Sequence, residues 1–148
     1  MTHSLPDAFA EAVTRFGNRT ALIEGSGRRV SFQALKKMAD DMAAGWAARG
    51  LGPGDRVLIA MPISAELYAA LAAIWSLGAV AVLPEPAMGL KGLRHAARIG
   101  GIKGFCAAGP YRWLRVILPD LWGKPLFTPA QAVPGPLPDH RVAPEDIA

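Results

Sequence analysis

One cysteine, three histidines, a serine ahead of an alanine-rich run and two glycine clusters are the places where this sequence could carry chemistry. Cys106 beside a histidine would make a thiolate–imidazole nucleophile, and His95 is the nearest histidine in the chain. Cys106 lies in the apolar stretch Gly104-Phe105-Cys106-Ala107-Ala108, which reads as a buried strand with no cation in register to stabilise a thiolate. Sequence leaves the pair open, but a small core residue is the better reading of Cys106. His3, His95 and His140 are far apart and adjoin no carboxylate or cysteine cluster, so a metal centre is not expected. Ser64 has no G-x-S-x-G elbow around it. Its position before a helical run suits an N-cap instead. Gly50-Leu51-Gly52-Pro53-Gly54 falls between a helix and the next strand, whereas a phosphate-binding glycine loop falls between a strand and the next helix. Gly123-Lys124 lacks both the following Ser or Thr and the upstream glycine of a Walker loop. No self-sufficient active site is visible.

The elements that would position these residues centre on Asp55 to Pro86. Val57 to Ala60 is a short apolar strand ended by Pro62. Ser64 caps a helix in which Leu67, Leu71, Ile74 and Trp75 recur at helical spacing, with alanines on the other faces. Glu66 in its first turn suits the helix dipole, and Gly78 suits its left-handed close. Ala79 to Leu83 is a second strand. Strand, helix and strand in so short a span predict a βαβ unit with parallel strands. The fold class is therefore α/β: a layered, mainly parallel sheet flanked by helices.

Ahead of this unit, Leu5 to Phe16 reads as a helix with Phe9, Val13 and Phe16 on one face and Pro6 in its first turn. Ala21–Glu24 and Arg28–Ser31 read as a short N-terminal β-hairpin turning at Gly25-Ser26-Gly27. Ser31 caps an amphipathic helix from Phe32 to Arg49, with Leu35, Ala39, Met42 and Trp46 inward and Lys36, Lys37, Asp40 and Asp41 mainly outward. After the unit come a basic helix, Leu90–Ile99, with Leu93, Ala97 and Leu90 as its inner candidates, and a strand, Gly104–Ala107. A helix over Tyr111–Leu118 and a final strand, Pro125–Phe127, complete the pattern. Residues 1–128 form the α/β unit. Residues 129–148, with Pro129, Pro134, Pro136, Pro138 and Pro144, read as a loop or linker.

At 51% hydrophobic and 19% charged the chain can bury a core. The uncharged span Leu67–Leu83 is at the short limit for crossing a bilayer and changes period at Gly78, so no membrane span is expected. The net charge of +4 is scattered, without the basic, aromatic-interleaved run that nucleic acid would favour. No basic n-region followed by an apolar segment opens the chain, which gives a cytoplasmic location by default. A single cysteine forms no internal disulfide.

The order of these elements, together with the phrases Phe32-x-x-Leu35, Gly54-Asp55-Arg56-Val57, Pro62-Ile63-Ser64, Gly78-Ala79-Val80 and Glu85-Pro86, resembles the start of an AMP-forming adenylating enzyme. That superfamily includes acyl- and aryl-CoA synthetases, luciferases and the adenylation domains of peptide synthetases. Two positions depart from the usual pattern: Ile63 stands for an asparagine, and Glu85 for the asparagine of an N-P pair.

The resemblance implies the N-terminal subdomain of an acyl-CoA synthetase-like fold, with activation of a carboxylate by ATP followed by thioester formation, fatty acid metabolism being one setting. The family's Ser/Thr/Gly-rich phosphate loop would follow Pro144-Glu145-Asp146-Ile147-Ala148, so the chain is expected to be a truncated, catalytically inert part of a larger ligase. ATP, Mg and CoA are then cofactors of the full-length parent, and the remainder of that synthetase is the partner. Lys91 and Arg94, one helical turn apart, are the candidates for contact with CoA phosphates, in place of a basic residue that Ala87 replaces. Ordinary solvated charges are the competing reading. Trp113, Trp122 and Phe127 are the expected contacts with a second subdomain of the parent, and are therefore expected to lie exposed here and to favour self-association. A stand-alone interaction module, or a small-molecule binder using the carboxyl ends of the strands, are the alternatives.

Overall fold

The computed structural model describes residues 4–84 and 86–134. Helix α1 (Leu5–Phe16) leads into a hairpin of β1 (Thr20–Ile23) and β2 (Arg29–Ser31), then α2 (Phe32–Ala48) and β3 (Arg56–Ala60). α3 (Ala65–Ser76), β4 (Val80–Val82), α4 (Gly89–Ile99) and β5 (Gly104–Ala107) follow, and α5 (Leu114–Ile117) and β6 (Leu126–Phe127) close the order. The larger sheet runs β4-β3-β5-β6 with every pairing parallel. β3 and β4 pair from Arg56↔Val80 to Leu58↔Val82, which is the expected βαβ geometry.

Strand alternation divides the core in two. Val57, Ile59, Cys106 and Phe127 point to one side, where α2 and α3 cover them. Leu58, Ala60, Phe105 and Ala107 point to the other, under α4 and the turns around α5. Both faces of a parallel sheet are thereby shielded from water, as such sheets require. On the α2–α3 side Ala65, Ala69, Ala70 and Ala73 are fully buried. Their small side chains let the two helices lie close together over the strands. Trp46 fills the space towards β6, its ring edge-on to Phe127 at 6.0 Å between centroids. Its indole Nε1 donates to the Thr128 carbonyl at 3.0 Å.

Serines start the first three helices: Ser4, Ser31 and Ser64 accept from the backbone N–H of Asp7, Ala34 and Leu67. Gly78, with φ +71°, ends α3 as anticipated. Three expectations are corrected. Phe127 is buried, because the register Cys106↔Phe127 turns its ring onto Trp46. Leu90 is exposed, since the inner stripe of α4 is only Gly92, Leu93 and Ala97. The helix over Tyr111–Leu118 shrinks to a 3-10 turn (Gly109–Trp113) followed by the four residues of α5. Leu118 is extended ahead of Pro119, which disfavours helix at the residue before it.

Thr128 to Val133, read as the beginning of a loop, lies along α2. Thr128 and Gln131 form a reciprocal capping box, and Val133 N–H donates to the Asp41 carbonyl at 2.9 Å. Gly45 permits this approach: a Cβ there would overlap the Gln131 carbonyl. Pro136, Pro138 and Pro144 fall outside the described residues, as do His3, His140, Glu85 and the segment 145–148.

Candidate functional site

In the strand order β4-β3-β5-β6 the chain leaves β3 towards one side through α3 and returns to its other side through α4. The carboxyl ends of β3 and β5 therefore flank a topological switch point, where open α/β sheets form ligand crevices. A cavity of about 560 Å³ opens there. Ile59 and Ala60 line it from β3 and Met61 from just beyond it, Leu83 and Pro84 from beyond β4, and Pro110 and Tyr111 from beyond β5. Ile63 and Leu67 border it at the start of α3, Gly89, Leu90 and Leu93 at the start of α4, with Leu114 from α5. Among the described residues no charged side chain lines it. Such a wall accepts an apolar group, and it offers no cation to a phosphate.

The other sequence candidates are dispersed around this crevice. Ser64 serves α3: its Oγ accepts from Leu67 N–H at 3.3 Å and donates to the Pro62 carbonyl at 3.2 Å. Gly50 to Asp55 is a turn at the amino end of the sheet, away from the crevice. Asp55 Oδ2 there accepts from Gly52 N–H and from Lys103 Nζ. Cys106 is fully buried against the α2–α3 layer, whereas α4, which carries His95, packs on the opposite face. The sheet separates the two, which removes the catalytic pair. Burial pushes the Cys106 thiol up to about 12, so it stays protonated and inert. Among the described residues no group of His, Cys, Asp and Glu is arranged to hold a metal ion. No helix of the described residues is long and apolar enough to cross a membrane.

Lys91 and Arg94 do share one side of α4. Together with Met88, His95 and Arg98 they border a shallow groove of about 360 Å³. Arg94 Nε donates to Asp120 Oδ2 at 2.9 Å and Arg98 Nε to Oδ1 at 3.0 Å. The hydrogen bonds from Arg94 and then Arg98 hold the Asp120 carboxyl below its ordinary value. Lys91 makes no ion pair with a described residue.

Beside the crevice, the hairpin is tied to the start of α3. Glu24 Oε1 accepts from Ala65 N–H at 2.9 Å, and Arg28 pairs with Glu66 at 3.0 Å. Partial burial is the largest single influence on Glu66 and pushes it upward, but the hydrogen bond and charge of Arg28, its own backbone N–H and the Ser64 hydroxyl together outweigh burial, and the net direction is down. Two carboxylates thus sit at the positive end of α3, as its dipole favours.

A family model described as AMP-binding enzyme matches residues 9–116, which takes in the hairpin, α2, the βαβ unit, α4 and β5. The chain belongs to this family. Among curated relatives, the salicyl-AMP ligase / salicyl-S-ArCP synthetase of Mycobacterium tuberculosis is 29% identical over 109 residues, 71% of this chain and 19% of that protein. The acetyl-coenzyme A synthetase of Thiobacillus denitrificans is 38% identical over 68 residues, 43% of this chain and 10% of that protein. An apo structure of MbtA from Mycobacterium smegmatis superposes with a TM-score of 0.80 at 28% identity, covering 99% of this chain and 31% of that one. The chain thus spans a fifth or less of the length of the two curated relatives. The crevice residues escaped the sequence reading because none of the described ones is charged. Their signal is position: Met61, Leu83 and Pro110 all fall just beyond the carboxyl ends of parallel strands.

Proposed function

We propose that this chain is the N-terminal part of an ATP-dependent carboxylate-activating ligase, which forms an acyl-adenylate and then a thioester, and that it is inactive alone. The observation that carries the reading is the family match over residues 9–116. The uncharged lining of the crevice supports the second half. A triphosphate needs cations and convergent N–H donors, so these must come from another part of the ligase, with this lobe contributing an apolar wall. ATP and Mg would be held by that other part. CoA phosphates would meet Lys91 and Arg94, with Arg94 exchanging its bond to Asp120 for the ligand.

Salicylate and acetate, suggested by the names of the relatives, are the first acids to try. ATP–pyrophosphate exchange by the 148-residue chain is expected to stay at background with either, and exchange above background would refute inactivity. A module with no chemistry would be equally silent. The coding sequence after Ala148 separates the two: a Ser/Thr/Gly-rich loop ending in lysine supports the ligase, and a stop codon supports the module. In the complete ligase, Lys91→Ala/Arg94→Ala is expected to raise the KM for CoA several-fold with adenylation unchanged. An unaltered KM would remove these two residues from the CoA site.

A further inference from the structure

From Pro86 to Pro119 the sequence contains no Asp or Glu, while Lys91, Arg94, Arg98, Lys103, Arg112 and Arg115 all fall within it. Lys103 is spent at the amino end of the sheet, on Asp55. The other five lie on α4, in the turn that leads into α5 and in α5 itself, and these segments cover the same face of the sheet. The bonds from Arg94 and Arg98 to Asp120 join α4 to the turn carrying Trp122. Asp120 is the one acidic residue between Pro86 and Val133, and both of its oxygens are already taken up by these guanidinium groups.

Apolar side chains stand out from the same segment. Trp113 is 66% exposed, Val116 61%, Ile117 65% and Trp122 63%. Trp122 Nε1 donates to the Val116 carbonyl at 3.1 Å, which brings its ring to α5. Four large apolar groups so close together are more than the scattered exposure common on monomers. Tryptophan flanked by arginine is a combination suited to a membrane interface, where the indole sits at headgroup depth and the guanidinium meets lipid phosphate. An acidic protein would satisfy the charge but would not require two protruding indoles.

We propose that the outer face formed by α4 and residues 109–123 docks on an anionic lipid bilayer, with Trp113, Val116, Ile117 and Trp122 entering the interface and Arg112 and Arg115 meeting the headgroups. Each cation near an anionic surface strengthens binding by roughly fivefold, and the effect fades as salt shortens the screening length. The docking is peripheral.

The test is sedimentation of the 148-residue chain with vesicles of phosphatidylcholine alone or mixed with phosphatidylglycerol, read alongside tryptophan emission. Binding to the mixed vesicles only, a blue shift, and release by high salt are expected. Trp113→Ser/Trp122→Ser and, separately, Arg112→Gln/Arg115→Gln are each expected to lower partitioning at least tenfold while the far-ultraviolet circular dichroism stays unchanged. No binding to anionic vesicles overturns the proposal, as does equal binding to neutral ones or wild-type partitioning by both folded variants. Dimerisation abolished by the tryptophan variant, without vesicle binding, would assign the face to a second copy and overturn it too.

Discussion

The same strands support two unlike layers. Towards α2 and α3, Val57, Trp46, Ile74, Phe127 and four alanines of α3 have no exposed surface. A backbone segment, Thr128–Val133, is laid over α2 by hydrogen bonds at both ends. Towards α4 and α5, Leu93, Ala97, Leu118 and Leu121 form one thin apolar layer, and beyond it indoles and aliphatic side chains remain in water. The difference teaches where stability and interaction are separated. One layer is closed by its own chain, and the other ends in surface suited to contact.

If that division holds, the most damaging single change lies under the strap. Trp46→Ala removes a fully buried ring and leaves the Thr128 carbonyl without its donor. A loss of about 3–5 kcal/mol is expected, measured by urea denaturation followed by circular dichroism. A loss below about 1 kcal/mol would show that the layer is not sealed. Gly45→Ala comes next and sharpens the point by its sign. Propensity alone would stabilise the helix by about 1 kcal/mol. The overlap with the Gln131 carbonyl is expected to reverse this to a net loss of about 1–3 kcal/mol in the same assay.

Much of the closed layer was legible from residue order. Ser31 and Ser64 announced their helices, the period of Leu35, Ala39, Met42 and Trp46 gave the inner stripe of α2, and Gly78 marked the return into β4. These signals are local, so a single chain segment suffices to read them. Phe127 was misread because its burial depends on pairing with β5, a partner some twenty residues away, as the register shows. The strap on α2 was hidden by Pro129 and the prolines that follow it in sequence, which argue against a regular helix or strand but not against close packing. The crevice was legible only as a rule of topology: the class of fold predicts where it opens, while its lining of Ile59, Leu83 and Tyr111 carries no chemical signature.

Cys106 tests the dryness of the closed layer by titration. Its thiol is raised in the folded state from 9.0 to about 12, so folding favours the protonated form. That contribution is complete below pH 9 and is lost as pH rises towards 12. At pH 10 the unfolded thiol is mostly ionised and the native one is not, which lowers stability by on the order of 1 kcal/mol relative to pH 8. The comparison with Cys106→Ala isolates the thiol from other groups that titrate there: the variant is expected to lack this increment. Equal pH dependence of the two proteins would mean that water reaches the layer.

The smallest effect belongs to the other side, where Ile117 and Leu118 are neighbours in sequence with opposite fates. Ile117 is 65% exposed and Leu118 only 5%. Replacing Ile117 by serine removes apolar surface that folding leaves in water, so the folded and unfolded states gain alike and stability should move by no more than about 0.5 kcal/mol. Leu118→Ser is the internal control, because it empties a place between α4 and the sheet and puts a hydroxyl there. Urea midpoints for the two variants then measure the depth of the thin layer: one residue inside it and one beyond. Should Ile117→Ser cost as much as Leu118→Ser, the outer indoles and aliphatic groups would be part of a second, thicker core. The contrast between a closed face and a contact face would then fail.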